Sequence, residues 1–173
     1  MDETPPTRRK PPAAAPGRIV ALAIALALVV KSCFVDLAFV QGGSMEPSLS
    51  QGDVVLVARC AYGLRIPIAS VYALRWRTPA QDELVAADGP RGRIVKRVFA
   101  VGPCALAVSG GGIARPDGAR VPSAAGSEAT GSIAVPAGMV FLVGTNWFES
   151  VDSRSYGPLP IEKVIGTVLP FGE

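Results

Sequence analysis

The sequence predicts a mainly β protein, with a compact antiparallel β-sheet or barrel-like domain behind one N-terminal transmembrane helix. Two observations lead to this fold class. An unbroken apolar run of 12 residues, Ile19–Val30, lies near the N-terminus of the 173-residue chain. Beyond it, short β-branched runs bounded by Gly, Pro, Asp and Ser recur, and helical periodicity is hard to find. The length suits one modest domain.

The net charge is concentrated at the N-terminus. Residues 1–31 hold five basic residues against two acidic ones, and this excess equals the whole net charge of +3. The five are Arg8, Arg9, Lys10, Arg18 and Lys31. A neutral body behind a basic tail argues against a nucleic-acid surface. Positive residues beside an apolar segment stay on the cytoplasmic side of a membrane, so the N-terminus is predicted to be cytoplasmic.

The N-terminal 35 residues divide into a tail and an anchor. Residues 1–17, rich in Pro, Ala and charge, are predicted to be a disordered basic cytoplasmic tail. As a helix, the apolar run alone is about 18 Å long, which is too short for a bilayer core about 30 Å thick. The helix is therefore predicted to extend beyond the run, and residues 18–35 are predicted to be a single transmembrane anchor. A cleaved signal peptide is the alternative, but no convincing A-x-A-like site follows the run. The anchor would leave residues 36–173 on the extracytoplasmic (periplasmic) side of the cytoplasmic membrane.

Seven strands are predicted in this extracytoplasmic part, at 36–41, 53–59, 72–77, 92–101, 104–108, 140–144 and 164–169. The Gly-rich stretch 109–137 is predicted to be a loop or a small hairpin insertion.

The absence of histidine restricts the chemistry. Without His there is no Ser-His-Asp or Cys-His catalysis and no His-ligated zinc. Cys33, Cys60 and Cys104 show no metal-binding spacing, so no metal and no cofactor are expected. A Cys60–Cys104 disulfide is possible, and three unpaired thiols are the simpler alternative.

Lys96 is the lysine best placed to act as a base. On a strand, Ile94, Lys96 and Val98 share one face, and the flanking apolar side chains would desolvate the ammonium and lower the pKa of Lys96. A lysine in this setting can accept a proton near neutral pH. The alternatives are an edge-strand charge that guards against aggregation, or one half of an ion pair.

Ser44 is the candidate nucleophile. It follows two glycines and precedes Met45, Glu46 and Pro47, so it would be displayed on a constrained turn after a strand. An ordinary turn serine is the alternative. A serine hydroxyl needs a base to attack a carbonyl, and a desolvated lysine can serve where histidine is absent.

Four segments resemble, in order, the conserved boxes of the bacterial type I signal peptidases (leader peptidases), which are membrane-anchored Ser-Lys endopeptidases. The segments are GGSMEPSL, GDVVLV, KRVFAVGP and FLVGTNWFESVDSRSYG, and the resemblance runs from about residue 33 to 170. It implies that Ser44 is the nucleophile and Lys96 the general base. It also implies that Ser150 orients the lysine amine and that Asp152 and Arg154 form a supporting ion pair.

The chain departs from the family pattern at three places. Gly42 stands where some members have a serine that donates to the oxyanion, which leaves the Ser44 backbone N–H as the expected donor. Thr145 replaces the usual acid that would pair with Arg97, and Glu149 is a possible substitute. The usual Pro-Gly-Asp turn reads Gly-Pro-Cys at 102–104.

The resemblance also implies how substrate binds. A signal peptide would add as a β-strand, with shallow apolar pockets selecting small residues one and three positions before the cut. Val40, Met45 and Val95 are candidate pocket residues, and plain core packing is the alternative for the two valines. Met45 is also a candidate for an apolar rim that dips into lipid, together with Phe34, Phe39, Trp147 and Phe148.

The function expected from the resemblance is removal of N-terminal signal peptides from exported proteins. The expected partners are the signal peptides of preproteins and the lipid bilayer, with no nucleic acid and no metal. Two alternatives stay open: a specialised conjugative-transfer or pilin-maturation peptidase of the same type, and a catalytically inactive membrane-anchored β module.

Overall fold

The computed structural model describes residues 16–66, 71–123 and 130–170. Its strands are β1 Val35–Phe39, β2 Val54–Ala58, β3 Gly63–Ile66, β4 Val71–Arg75, β5 Leu84–Gly89, β6 Gly92–Val101, β7 Cys104–Ser109, β8 Gly112–Ala114, β9 Arg120–Pro122, β10 Gly131–Val135, β11 Met139–Val143, β12 Leu159–Pro160 and β13 Val164–Pro170. The α-helices are α1 Pro16–Phe34 and α2 Ser153–Tyr156, and short 3-10 helices cover Arg59–Ala61 and Ile161–Lys163.

A seven-stranded antiparallel sheet forms the body of the protein, in the order β1-β2-β13-β5-β6-β11-β12. The sheet curls, so β1 and β6 face each other across a groove although three strands separate them in this order. β7 to β10 form a second sheet of four strands, and β3 pairs with β4 in a hairpin. The mainly β prediction is confirmed.

Three apolar clusters make up the core of the described part of the chain. The first packs around Tyr62 and Val98, and the second lies beneath the turn that follows β1, around Met45 and Leu49. The third joins the two larger sheets through side chains that include Phe99 and Leu106. Burial of these aliphatic and aromatic side chains supplies most of the stabilisation of such a fold.

The seven predicted strands are present within one or two residues of their expected bounds. β3, β5 and β12 were not predicted. In the described residues of the predicted loop or hairpin insertion at 109–137 lie three short strands, β8 to β10, and residues 124–129 are outside the described part of the chain. Cys60 and Cys104 are both free thiols, which favours the simpler cysteine alternative.

Helix α1 covers nearly the same residues as the predicted anchor. It begins at Pro16, inside the predicted tail, whose residues 1–15 lie outside the described part of the chain. Within the described ranges, no helix is both long and apolar enough to cross a membrane. The anchor over residues 18–35 therefore stays a prediction.

Candidate active site

Ser44 lies on a tight turn between β1 and β2. The base of this turn is closed where Val40 N–H donates to Asp53 O at 2.8 Å and Gly52 N–H donates to Val40 O at 2.9 Å. Gly42 has a φ of +80°, which favours glycine. Met45 is 1% exposed and anchors the turn in the core. The turn therefore holds the Ser44 hydroxyl in a fixed place beside β6.

Lys96 lies in the middle of β6 and is only 3% exposed. Its Nζ is 2.7 Å from Ser44 Oγ and 2.9 Å from Ser150 Oγ. β6 is paired with β5 at Lys96 and with β11 only from Arg97 onward, but the Lys96 side chain is buried and so is not an exposed charge that guards an edge. Within the described residues Lys96 also forms no ion pair, so neither alternative for this lysine fits the structure.

The environment of Lys96 shifts its amine towards the neutral form. Desolvation by burial is the largest influence and lowers the pKa of Lys96, and the charge of Arg154 lowers it further. The carboxylate of Asp152 opposes both, but the net shift of the pKa is downward. Part of the lysine population can therefore be unprotonated at a lower pH than for an exposed lysine.

Asp152 organises the polar groups behind Lys96. It is fully buried, and its carboxylate accepts hydrogen bonds from Ser150 Oγ at 2.7 Å, from Gly144 N at 2.9 Å and from Arg154 Nε at 2.8 Å. Burial alone would raise the pKa of Asp152, but these hydrogen bonds and the Arg154 charge outweigh it and hold the pKa below its usual value. Asp152 is therefore a buried carboxylate, and its partners fix the position of Ser150.

Gly144 is a site residue that the sequence did not single out. A Cβ at this position would clash with Ser150 Oγ and with the carbonyl oxygen of Ser44. The glycine therefore permits the close approach of β11 to both serines. The only sequence signal for Gly144 is its place in the segment FLVGTNWFESVDSRSYG, directly before Thr145.

Gly144→Ala is expected to lower kcat about 100-fold, because displacing a reacting group by about 1 Å costs this much. The free energy of unfolding should fall as well, because the added Cβ displaces the backbone oxygen of Ser44. The measurement is peptide cleavage together with a thermal melt. The matched control is Gly131→Ala, where an added Cβ meets nothing within 4 Å. Equal activity of the two variants would contradict the importance of this packing.

A groove of about 680 Å³ adjoins the Ser44–Lys96 pair. It is lined by residues 37–45, which run from β1 into the turn that carries Ser44, and by residues 91–96 at the start of β6, with Glu149 and Val151 at its side. The candidate pocket residues Val40, Met45 and Val95 all line it, and they also belong to the second core cluster or pack against it. The pocket and core interpretations are thus compatible for these side chains.

Two expectations about the surroundings of the site are wrong. Glu149 does not pair with Arg97. It accepts instead from Asn146 Nδ2 at 3.3 Å, while Arg97 donates to Asp82 O at 2.9 Å and to Ser48 Oγ at 3.4 Å. The guanidinium of Arg97 therefore hydrogen-bonds a backbone carbonyl and a serine hydroxyl rather than an acidic side chain.

Met45 is also not part of an exposed rim, because its side chain is buried beneath the turn. The other four rim candidates, Phe34, Phe39, Trp147 and Phe148, are all exposed, and Phe148 is the most exposed of them at 85%.

Within the described ranges, no three His, Cys, Asp or Glu side chains gather to hold a metal ion.

The model of the family described as "Signal peptidase, peptidase S26" matches residues 14–171. The chain belongs to this family. It is therefore a serine endopeptidase of the signal peptidase type, and the expected family is confirmed.

Several curated relatives of this family resemble the chain. "Signal peptidase I V" of Bacillus subtilis is 28% identical over 85% of this chain and 91% of its own length. "Probable signal peptidase I-1" of Synechocystis is 28% identical over 87% of this chain and 78% of its own length. A crystal structure of a signal peptidase I from Enterococcus faecalis aligns with a TM-score of 0.41 at 20% identity, covering 54% of this chain and 98% of that one.

Proposed function

We propose that the chain removes N-terminal signal peptides from exported proteins by cutting after small residues, with Ser44 as nucleophile and Lys96 as general base. The observation that carries the proposal is the 2.7 Å distance between the Ser44 hydroxyl oxygen and the buried amine of Lys96. A base within this distance of a hydroxyl can accept its proton as the oxygen attacks a carbonyl. The inactive-module alternative does not account for a buried lysine aimed at a serine.

The hydrogen bonds around Ser150 orient the lysine lone pair. The single proton of the Ser150 hydroxyl is donated to the Asp152 carboxylate at 2.7 Å, so Ser150 Oγ faces the amine as an acceptor. The amine donates an N–H to Ser150, and its lone pair is then available to the Ser44 hydroxyl. In this role Ser150, Asp152 and Arg154 are positioning residues.

The chemistry then proceeds in two stages. Ser44 Oγ bonds to the substrate carbonyl carbon as its proton passes to Lys96, and the oxyanion accepts from the Ser44 backbone N–H. In the described part of the chain this N–H donates to no other group. Lys96 gives the proton to the leaving amine as the C–N bond breaks, which leaves an ester. Water, deprotonated by Lys96, hydrolyses the ester and releases Ser44.

The groove suits a peptide that binds as an added β-strand. β1 is hydrogen-bonded only to β2, and residues 92–96 of β6 are paired only with β5 among the described strands. Each strand thus offers a free edge, and both edges line the groove. Backbone pairing would supply affinity, while the side chains of Val40, Met45 and Val95 would admit small residues one and three positions before the cut.

The proposed location is the cytoplasmic membrane, with the N-terminus in the cytoplasm, the span over residues 18–35 and the peptidase domain of residues 36–173 outside. The basic residues before the apolar run support this orientation. The apolar side chains of α1 that the structure describes, such as Leu22 and Leu26, are exposed and lack protein partners to bury them. Lipid would be the expected environment of these side chains.

Cleavage of an exported precursor that carries an A-x-A site tests the function. We expect the wild type in detergent to cut it equally with and without EDTA, and Ser44→Ala to be inactive. Ser132→Ala, at an exposed position on β10, is the matched control and should retain full activity. Cleavage by Ser44→Ala, or its loss in EDTA, would contradict the proposal. If the wild type cuts a pilin precursor but no ordinary precursor, the specialised alternative is the better account.

A further inference from the structure

The floor of the groove changes from apolar to charged at the end away from Ser44. Side chains alternate along a strand, and on β1 the inward-facing positions are Asp36 and Ala38, followed by Val40. On β6, Val95 packs against the second core cluster and Arg93 lies two residues before it on the same face. Both strands therefore present aliphatic side chains near the Ser44–Lys96 pair and a charged side chain one repeat further away.

These charged side chains meet across the groove. Arg93 Nη1 donates to Asp36 Oδ2 at 3.0 Å, and Arg59 Nη1 lies 3.5 Å from the same oxygen. Arg91, exposed on the turn before β6, also lines the groove. We call Asp36, Arg59, Arg91 and Arg93 the distal arginine cluster. The guanidinium groups of Arg59 and Arg93 contact the single carboxylate, and Arg91 adds a third positive charge to the groove, so the cluster carries a net positive charge.

A bound peptide strand has the same two-residue repeat of about 6.7 Å as the strands beside it. Its residues one, three and five positions before the cut would face the floor. With the residue at position −3 beside Ala38 and Val95, each of which lies one repeat from a charged residue on its strand, the residue at −5 reaches the level of Asp36 and Arg93. The residues at −2 and −4 would point away from the floor.

We propose that the distal arginine cluster is a subsite for the substrate residue at −5 and that it selects acidic or hydrogen-bond-accepting side chains there. This inference rests on the proposed function, because it needs the peptide to lie in the groove. Arg93 and Asp36 are 46% and 32% exposed, so a substrate carboxylate can approach the guanidinium groups without displacing buried structure. A lysine at −5 would meet the net positive charge, and a leucine would cover charged groups without satisfying them.

A set of peptides that share one A-x-A cleavage site and differ only at −5 tests the proposal. With the full-length wild type at low ionic strength, we expect kcat/KM for Asp at −5 to exceed that for Lys by about fivefold, the size of effect that exposed charge pairs produce. The preference should shrink in high salt, because exposed charges are screened. The same exchange at −4 should have little effect.

Arg93→Ala is expected to bring the ratio of kcat/KM for the Asp peptide over the Lys peptide at −5 closer to one. The matched control is Arg120→Ala, an exposed arginine on β9 that hydrogen-bonds Ser109 O, away from the groove. Binding of the same peptides to Ser44→Ala gives a second readout that needs no catalysis.

The outcomes separate the two proposals. Equal cleavage of the Asp and Lys peptides at −5, or a preference at −4 instead, would overturn the subsite while the peptidase function stands. Absence of cleavage of every peptide by the wild type would contradict the proposed function, and binding to Ser44→Ala that ignores the −5 residue would then overturn the subsite as well.

Discussion

Lys96→Met is expected to lower kcat for peptide cleavage by at least about 10⁴-fold, the scale of loss when a nucleophile or its base is removed from a serine protease. The variant should nevertheless fold, because methionine is similar in length and the site is buried. Desolvation makes the ammonium costly inside the protein, so an uncharged side chain should leave the free energy of unfolding unchanged or raise it. Loss of activity without loss of stability is the signature of a base.

The matched control for this substitution is Lys163→Met, at an exposed position, which should keep full activity. Lys96→Arg should be as inactive as Lys96→Met, because a guanidinium stays protonated at any working pH. A marked drop in the melting temperature of Lys96→Met would instead indicate that the lysine is a structural element.

The pH dependence of the wild type follows from the same group. Because the pKa of Lys96 is lowered by burial, activity should rise with pH as the amine loses its proton, earlier than for an ordinary lysine. The folded protein disfavours the protonated amine, so this group makes a contribution to stability that rises with pH from its lowered pKa towards the unfolded value of about 10.4. Lys96→Met should lack this contribution, which chemical unfolding at several pH values can measure.

Asp152→Asn is expected to lower the free energy of unfolding by about 3–5 kcal/mol, because it leaves a buried guanidinium without its counter-charge. The Arg154 side chain is only 2% exposed, so water cannot replace the lost carboxylate. Ser150 would also lose its ionised acceptor, and kcat should fall with the orientation of Lys96. Thermal unfolding and peptide cleavage measure the two effects, and the expected drop in Tm is roughly 10 °C.

Glu162→Gln provides the matched control, since Glu162 pairs with Arg75 on the surface and both side chains are substantially exposed. Breaking this pair should cost less than about 1 kcal/mol. The pKa of Asp152 is depressed in the folded protein, so its contribution to stability is present above the unfolded pKa of about 3.9 and is lost as pH falls through the folded value. A variant as stable as the wild type at neutral pH would refute this account of the buried pair.

The sequence was most informative where pattern and chemistry coincide in short segments. Strand β6 spans Gly92–Val101, as the β-branched run predicted, and its two-residue repeat places Lys96 on a desolvated face. Ser44 could be predicted because the glycines before it and the proline after it mark a constrained turn. These signals are local, so one sequence suffices to find them.

Strand β5 was missed although it lies at the centre of the large sheet. Val85, Ala86 and Ala87 are all fully buried, so both faces of β5 are covered and the strand shows no alternation of apolar and polar residues. Alanine is also depleted in strands, which weakens the compositional signal. The burial of β5 follows from its neighbours in the sheet.

The distal arginine cluster and the packing of Gly144 were missed for a different reason. Asp36 and Arg93 are 57 residues apart in sequence, and they meet only because the sheet curls. Curl depends on the twist accumulated over several strands, which no short segment encodes. The Arg97–Glu149 pairing was wrong because the position of Arg97 next to Asp82 depends on the same long-range arrangement.

The third core cluster makes the two larger sheets a single unfolding unit. Phe99 and Phe141 of the large sheet pack with Leu106 and Ile113 of the small one, and Arg115 ties the small sheet to Asp82 with a 3.1 Å ion pair. Deleting the small sheet would expose the buried Phe99 and Phe141 rings to water. The small sheet is therefore an integral part of the hydrophobic core, and a shortened peptidase made from the large sheet alone would be prone to aggregation.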